Sequence, residues 1–316
     1  MKTYSFEGTA TALTSIMHGS GEKTGIISML RREKFVQPDG RIARVPVISG
    51  NAVRGILRDV GMYDMLQRVG YGVQEDGTVV GLPLPAFYFL FSGGALTSNT
   101  VEGLDIEKMR AMRELIPLIG VFGGAVGNQI LPGKLKVGKL LPIARETAHL
   151  LPEKFRPEEP VSVWDLCQTE FYTRRDDEKN DKVRNLIDPV ERKLLGSGET
   201  SKGELTGAGA QQMMYRQETF CAGTQFFWKI VLEDPTDLEF ESFVQTLIVF
   251  SRTPYVGGRS AVGHGELSIK FDGWVEIDSR ANLDGKEVDL PLLKKYEEHL
   301  KTRKDDIRHL LQTAFK

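Results

Sequence analysis

Basic and histidine side chains stand beside three glycine turns in this 316-residue chain, a pairing that suits anion capture. In Val47 to Asp59, VISGNAVRGILRD, an apolar strand stops at Ser49-Gly50 and an amphipathic helix begins, with Asn51 expected as its N-cap. Val53, Ile56, Leu57 and Val60 recur at helical spacing as one buried stripe. That spacing predicts Arg54 and Arg58, one turn apart, on the opposite face. A helix N-terminus supplies unpaired amide N–H groups and partial positive charge, so a glycine turn with two arginines would hold a run of phosphates. A solvated helix with ordinary surface arginines is the competing reading. The second group is Tyr255 to Leu267, YVGGRSAVGHGEL. Gly257 and Gly258 let backbone approach closely there, and Arg259, Ser260 and His264 offer polar contacts to a polyanion. His18, beside the Gly19-Ser20-Gly21 turn, is either a polar loop residue or a nucleic-acid contact.

A Walker loop needs G-x-x-x-x-G-K-[ST], and no such string occurs. A dinucleotide fingerprint follows a strand and opens a helix, whereas the 255–267 loop is expected to follow a helix and open a strand. No cofactor is therefore expected. Two cysteines, Cys167 and Cys221, cannot make a zinc site by themselves and read as buried thiols. The cluster Asp176, Asp177, Glu178 and Asp181 reads as a solvated loop, so no metal is expected. No apolar run approaches the ~20 residues that span a bilayer, and MKTYSFEGTATAL begins a strand. A cytoplasmic protein without a membrane partner is the expectation. A net charge of −2 does not advertise a nucleic-acid binder. The positive charge is local instead: Lys23, Arg31, Arg32, Lys34, Arg41, Arg44, Arg54 and Arg58 fall within 22–58, against Glu22, Glu33 and Asp39. Acid gathers in 233–241 and 275–305, and a chain with one basic and one acidic face can stack on copies of itself.

The elements that must position these groups follow from pattern. With 41% apolar residues the chain can fill one large core or two modest ones. Residues 2–17 predict a long first strand, and Gly25–Val36 with Arg41–Ile48 a hairpin about Gln37-Pro38-Asp39-Gly40. A helix follows from Asn51, then helical patches over 82–128, a central strand over Lys134–Ala144, and a strand over 161–175 with a charged tip. Residues 174–210 are poor in apolar side chains and suit a loop or hairpin. Gln212–Leu232 predicts two strands joined at Ala222-Gly223, Leu238–Ser251 a helix, and Leu290–Phe315 a charged amphipathic helix. Trp164 and Trp228 are assigned to the core. This order is an α+β plan, helices on one face of an antiparallel sheet, of ferredoxin-like or RRM type; the RRM sheet is a recurrent RNA platform.

Five stretches, in this order, resemble the RAMP superfamily of CRISPR effector proteins, in particular the backbone subunit that coats the guide RNA. They are IMHGSGE (16–22), PVISGNAVRG (46–55), VFG (121–123), ETFCAGTQF (218–226) and the 257–265 loop. Within the superfamily the chain is most similar to the type IV backbone subunit, with the type III and type I-D subunits next. The resemblance implies an RRM-derived palm spanning 1–316 as one domain, a helical insert at 60–130 and a C-terminal helix at 289–316. It also implies a thumb hairpin drawn from 161–212 that wedges under a flipped base, with Phe171, Tyr172, Arg174 and Arg175 near its working part. The implied partners are the guide RNA, a target nucleic acid through guide pairing, copies of itself head to tail, and other effector subunits. Those subunits would be a large subunit, a foot-end RAMP subunit and a guide-processing RAMP subunit. In type III relatives an aspartate in a Gly-Ile-Asp-like context supports metal-dependent cleavage. Here Gly25-Ile26 is followed by Ile27 and Ser28, which neither bind a metal nor activate water. The expectation is a subunit that is not an enzyme and has no catalytic residues.

On that reading Arg54, Arg58 and Arg259 contact the guide backbone, because arginine's planar fork suits phosphate. His18, Lys23, Arg31, Arg32, Ser49, Asn51, Phe171, Arg174, Arg175, Gly257, Gly258, Ser260 and His264 complete the expected RNA surface. His264 touches phosphate or caps its loop, while Phe171 and Tyr172 stack a base or bury in the sheet. Two other classes stay open: a RAMP-type endoribonuclease that processes guide precursors with His18 as general base, and a homo-oligomer that needs no nucleic acid. The RNA reading requires the glycine turns near residues 50 and 258 to meet in space.

Overall fold

Alternation at the start of the chain builds the central strand. In β1 (Thr3–Ala12) Phe6, Gly8, Ala10 and Ala12 are buried while Glu7, Thr9 and Thr11 between them stay partly exposed. The computed structural model describes residues 3–24, 27–94, 106–126, 129–174, 213–272, 277–278 and 293–314. After β1 come β2 (Gly19–Thr24), β3 (Ile27–Leu30), β4 (Arg32–Val36) and β5 (Ile42–Pro46), then α1 (Gly50–Arg68). Short strands β6 (Gly72–Val73) and β7 (Val79–Val80) precede α2 (Leu84–Ser92), α3 (Ile106–Leu115) and α4 (Pro117–Phe122). The second half holds β8 (Gly124–Val126), β9 (Gln129–Leu131), β10 (Leu135–Val137), β11 (Leu141–Pro142), β12 (Cys167–Arg174), β13 (Met213–Phe220) and β14 (Gln225–Glu233). Helix α5 (Asp237–Arg252), β15 (Leu267–Asp272), β16 (Ile277–Asp278), α6 (Lys294–Thr302) and α7 (Lys304–Thr313) complete the described elements.

The class is α+β with mainly antiparallel sheets. The larger sheet runs β10-β14-β1-β15-β16, with β11 also on β14, and β1 is antiparallel to both β14 and β15. Val53 and Leu57 of α1 and Phe243 and Leu247 of α5 share one core with Phe6, Trp228 and Phe271 of the sheet. A capping box between Thr236 and Glu239 starts α5. The second sheet runs β12-β13-β3-β2, and its β12–β13 hairpin is in register from Cys167 opposite Phe220 to Arg174 opposite Met213. β4 and β5 form a separate hairpin about Gln37-Pro38-Asp39-Gly40.

Several elements differ from the sequence pattern. β1 ends at Ala12, because residues 13–18 turn out of the sheet to bond with three other segments. β3 is set off from β4 at Arg31, whose carbonyl accepts from Val47 while β3 pairs with β2 and β13. Lys134–Ala144 is two short edge strands rather than a central one: after Gly138 the chain leaves β14 and Leu140 bridges Ile48. The strand at 161–175 begins as a 3-10 turn, Val163–Leu166, capped by Ser162. Ala222-Gly223 joins β13 to β14 across two sheets, so the pair is a change of layer and not a hairpin. The C-terminal helix is two, broken at Arg303, with Tyr296, Leu300, Ile307 and Leu311 buried.

Candidate nucleic-acid interface

The extended stretch from Ala12 to His18 is the seam on which the candidate site is built. Leu13 N–H donates to the Glu266 carbonyl at 2.8 Å, Gly265 N–H to Ser15 at 2.9 Å, and Gly258 N–H to Met17 at 2.8 Å. On its other side Ile16 and Phe220 exchange backbone hydrogen bonds, and Arg31 N–H donates to the His18 carbonyl at 2.8 Å. The Ser49 N–H then donates to His18 Nε2 at 3.2 Å. The glycine loop and the start of α1 therefore meet through this one segment. Gly257 must be glycine here: its φ is +81°, and a Cβ would lie 2.4 Å from the Met17 carbonyl oxygen.

His18 is half-buried, and its Nε2 lone pair is held by Ser49, which puts the proton on Nδ1. Burial, and after it the charge of Arg31, lowers its pKa below the ordinary value. A general base at His18 thus has no free basic nitrogen. The helix cap is Ser49, whose extended backbone lets Oγ accept from Ala52 N–H at 3.3 Å. Asn51 is not the cap; it lies exposed in the first turn.

The two arginines of α1 are not free on a solvent face as the helical spacing predicts: Arg54 is half-buried, and both turn toward α4. Arg58 is only 7% exposed. Its guanidinium donates to the carbonyls of Phe122 at 2.7 Å, Gly123 at 3.0 Å and Leu90 at 3.3 Å, closing the C-termini of α4 and α2. Arg54 donates to the same Phe122 oxygen at 2.5 Å. Burial lowers the pKa of Arg54 and brings that of Arg58 down to about 10. The helical stripe marks the sheet-facing side correctly, but α2 and α4 cover the opposite side as well. Arg32 is likewise held within the protein, paired with Glu218, which also accepts from Leu30 N–H at 2.9 Å.

His264 is 3% exposed and lies at the centre of a polar network, not against solvent. Its Nδ1 is 2.9 Å from Ser15 Oγ, and its Nε2 is 2.6 Å from the Tyr172 oxygen. Tyr172 donates to Glu170, which also accepts from Thr219 at 2.8 Å. Burial opposes ionisation of Glu170, yet hydrogen bonds from Tyr172, Ser15, Thr219 and Gln168 outweigh it and hold the pKa down to about 2. Burial and then the Glu170 hydrogen bond and charge push the Tyr172 hydroxyl up to about 12. This network fastens one face of the β12–β13 hairpin to the glycine loop. Arg259, at φ +63°, sits with its guanidinium 5.6 Å from the Tyr172 ring centroid.

The opposite face of the hairpin is open. Phe171 is 63% exposed rather than buried in the sheet, and Arg216 lies 4.9 Å over its ring. Trp164 is not a core residue: it is 47% exposed, with Arg32 stacked 5.1 Å above it. Sequence reading missed Arg216 because only the register, Phe171 opposite Arg216, shows the pair. Arg31, Lys34, Arg44, Arg259 and Ser260 are exposed. The side chains of Lys23 and Arg174, and all of Arg175, lie outside the described residues, as does most of the 161–212 excursion. No helix among the described residues is long and apolar enough to cross a membrane.

Against this geometry the comparisons with known proteins are specific in one respect. A chain of a solved Type IV-B CRISPR complex aligns over 92% of this chain and 96% of its own, with a TM-score of 0.56 and 24% identity. The likeness shows a shared fold across nearly the whole of both chains. No protein-family model matches the sequence, and no curated protein does.

Proposed function

We propose that this chain is a non-catalytic backbone subunit of a CRISPR effector complex, which binds guide RNA and assembles head to tail along it. The observation that carries the reading is the end-to-end fold likeness to a chain of a Type IV-B CRISPR complex. On this reading the larger sheet with α1 and α5 is an RRM-derived palm, and the β12–β13 hairpin is the base of a thumb. The seam at residues 12–18 supports it by joining the glycine loop, the basic β3–β4 junction and the start of α1 at one surface. Exposed Arg31, Lys34, Arg44 and Arg259 take the phosphates there, while Ser49 and His18 fix the surface. Sequence specificity belongs to the guide, and the protein supplies shape and charge. The other subunits of such a complex and a target nucleic acid are its partners.

The test is to purify the chain from cells that transcribe the guide, extract the bound nucleic acid and sequence it. The expected result is protected guide-length RNA and particles whose copy number rises with guide length. Recovery of monomer free of nucleic acid at physiological salt would overturn the reading. Metal-free cleavage of repeat RNA lost in His18→Ala would replace it with a processing nuclease.

A further inference from the structure

We infer that the open face of the β12–β13 hairpin, continued onto the β4–β5 hairpin, is a stacking track for the bases of a single-stranded nucleic acid. Trp164 and Phe171 are its platforms, and Arg216 and Arg32 are the cations set against them. The inference rests on the nucleic-acid reading above and adds two residues, Trp164 and Arg216, that the sequence pattern did not mark.

The strand register lays out the row. Phe171 pairs with Arg216, and Glu218, two residues along β13, lies on the same face because strand side chains alternate. Glu218 holds Arg32, and Arg32 covers the ring of Trp164. The order along this face is therefore Phe171, Arg216, the buried Glu218, Arg32 and Trp164. Single exposed aromatics are ordinary and carry no argument by themselves. The cations carry it. Arg216 makes no hydrogen bond or ion pair among the described residues, whereas Arg32 is answered by Glu218 and serves as the flat partner of the Trp164 ring.

The β4–β5 hairpin extends the same pattern. Lys34 stands directly opposite Arg44, both are exposed, and neither has a carboxylate partner among the described residues. Like charges placed opposite each other weaken a hairpin, so an external polyanion is the natural counter-charge. Exposed rings beside Arg216, with Lys34 and Arg44 also free of carboxylate partners among the described residues, match a chain in which flat bases alternate with phosphates. An acidic peptide would answer the charges but leave the exposed rings without a stacking partner.

The experiment uses the full chain freed of co-purified nucleic acid. It measures fluorescence anisotropy with a short single-stranded oligouridine, an abasic oligonucleotide of equal length, and polyglutamate. Trp164→Ala and Phe171→Ala are each expected to weaken oligouridine binding by about 5- to 100-fold, the range for losing one base–aromatic stack, and to leave the abasic chain within about twofold. Trp164→Phe keeps a ring and should retain binding, which separates stacking from misfolding. Arg216→Gln should weaken both oligonucleotides. Equal losses on both, or none on either, would overturn the track and leave the guide-coat reading standing. Polyglutamate bound as tightly as oligouridine would overturn it in favour of an acidic protein partner. A parent chain that binds neither oligonucleotide removes both proposals together.

Discussion

Replacing Arg58 by methionine keeps an unbranched apolar stem in the slot between α1, α2 and α4 and removes the guanidinium. Three carbonyls then lose the Arg58 donor, those of Phe122, Gly123 and Leu90 at 2.7, 3.0 and 3.3 Å, and only Phe122 keeps a second one, from Arg54. A hydrogen bond to a charged group contributes about 1.5–3 kcal/mol. Two well-formed bonds and one long one therefore supply roughly 4–5 kcal/mol. Against this stands the cost of keeping the charge buried, which is also what draws the pKa of Arg58 down to about 10. The net expected loss is about 3 kcal/mol, or roughly 4–5 °C in Tm for a chain of this size. Arg58→Lys should recover little, because one ammonium cannot reach three carbonyls from one position. The assay is urea denaturation followed by fluorescence, paired with RNA anisotropy on the folded variant. Unchanged stability together with abolished RNA binding would refute the reasoning and return Arg58 to the ligand surface.

Other consequences can be measured on the same material. His18 has a folded-state pKa below its ordinary 6.5, so between that pKa and 6.5 the folded chain binds fewer protons than the unfolded one. Stability present above 6.5 should fall as pH drops through this window, and His18→Gln, which can still accept from Ser49, should flatten that part of the curve. A steeper curve in the variant would contradict the assignment. Gly257→Ala meets both left-handed strain at φ +81° and the Met17 carbonyl at 2.4 Å, whereas Gly263→Ala, at φ +90°, meets open space. The first should cost more than about 2 kcal/mol and the second about 1 kcal/mol, read by thermal denaturation; equal costs would show that the Met17 contact is unimportant. Arg259→Gln should leave stability unchanged and lower the slope of log K against log salt for single-stranded RNA by about 0.7, the share of one phosphate contact. An unchanged slope would take Arg259 off the phosphate path.

The amino-acid sequence by itself determined the elements and their class. Alternation in β1, the turn chemistry of Pro38-Asp39-Gly40, the helical spacing of Leu238–Ser251 and the glycine-rich loop are local signals, and each marks a real element, although β1 stops at Ala12. Local pattern also marked the Gly257-Gly258 turn, where the structure packs the Met17 carbonyl against Gly257. Tertiary structure alone decided which charges stay free. Arg58 reads as a surface residue until α2 and α4 fold over the second side of α1, and His264 reads as a loop residue until Ser15, Tyr172 and Gln217 close around it. Trp164 reads as core until the 3-10 turn at 163–166 leaves its ring outside with Arg32 against it. The physical reason is the same in each case. A side chain's type fixes which bonds it can make, but only long-range packing fixes whether a carbonyl, a carboxylate or water lies within reach.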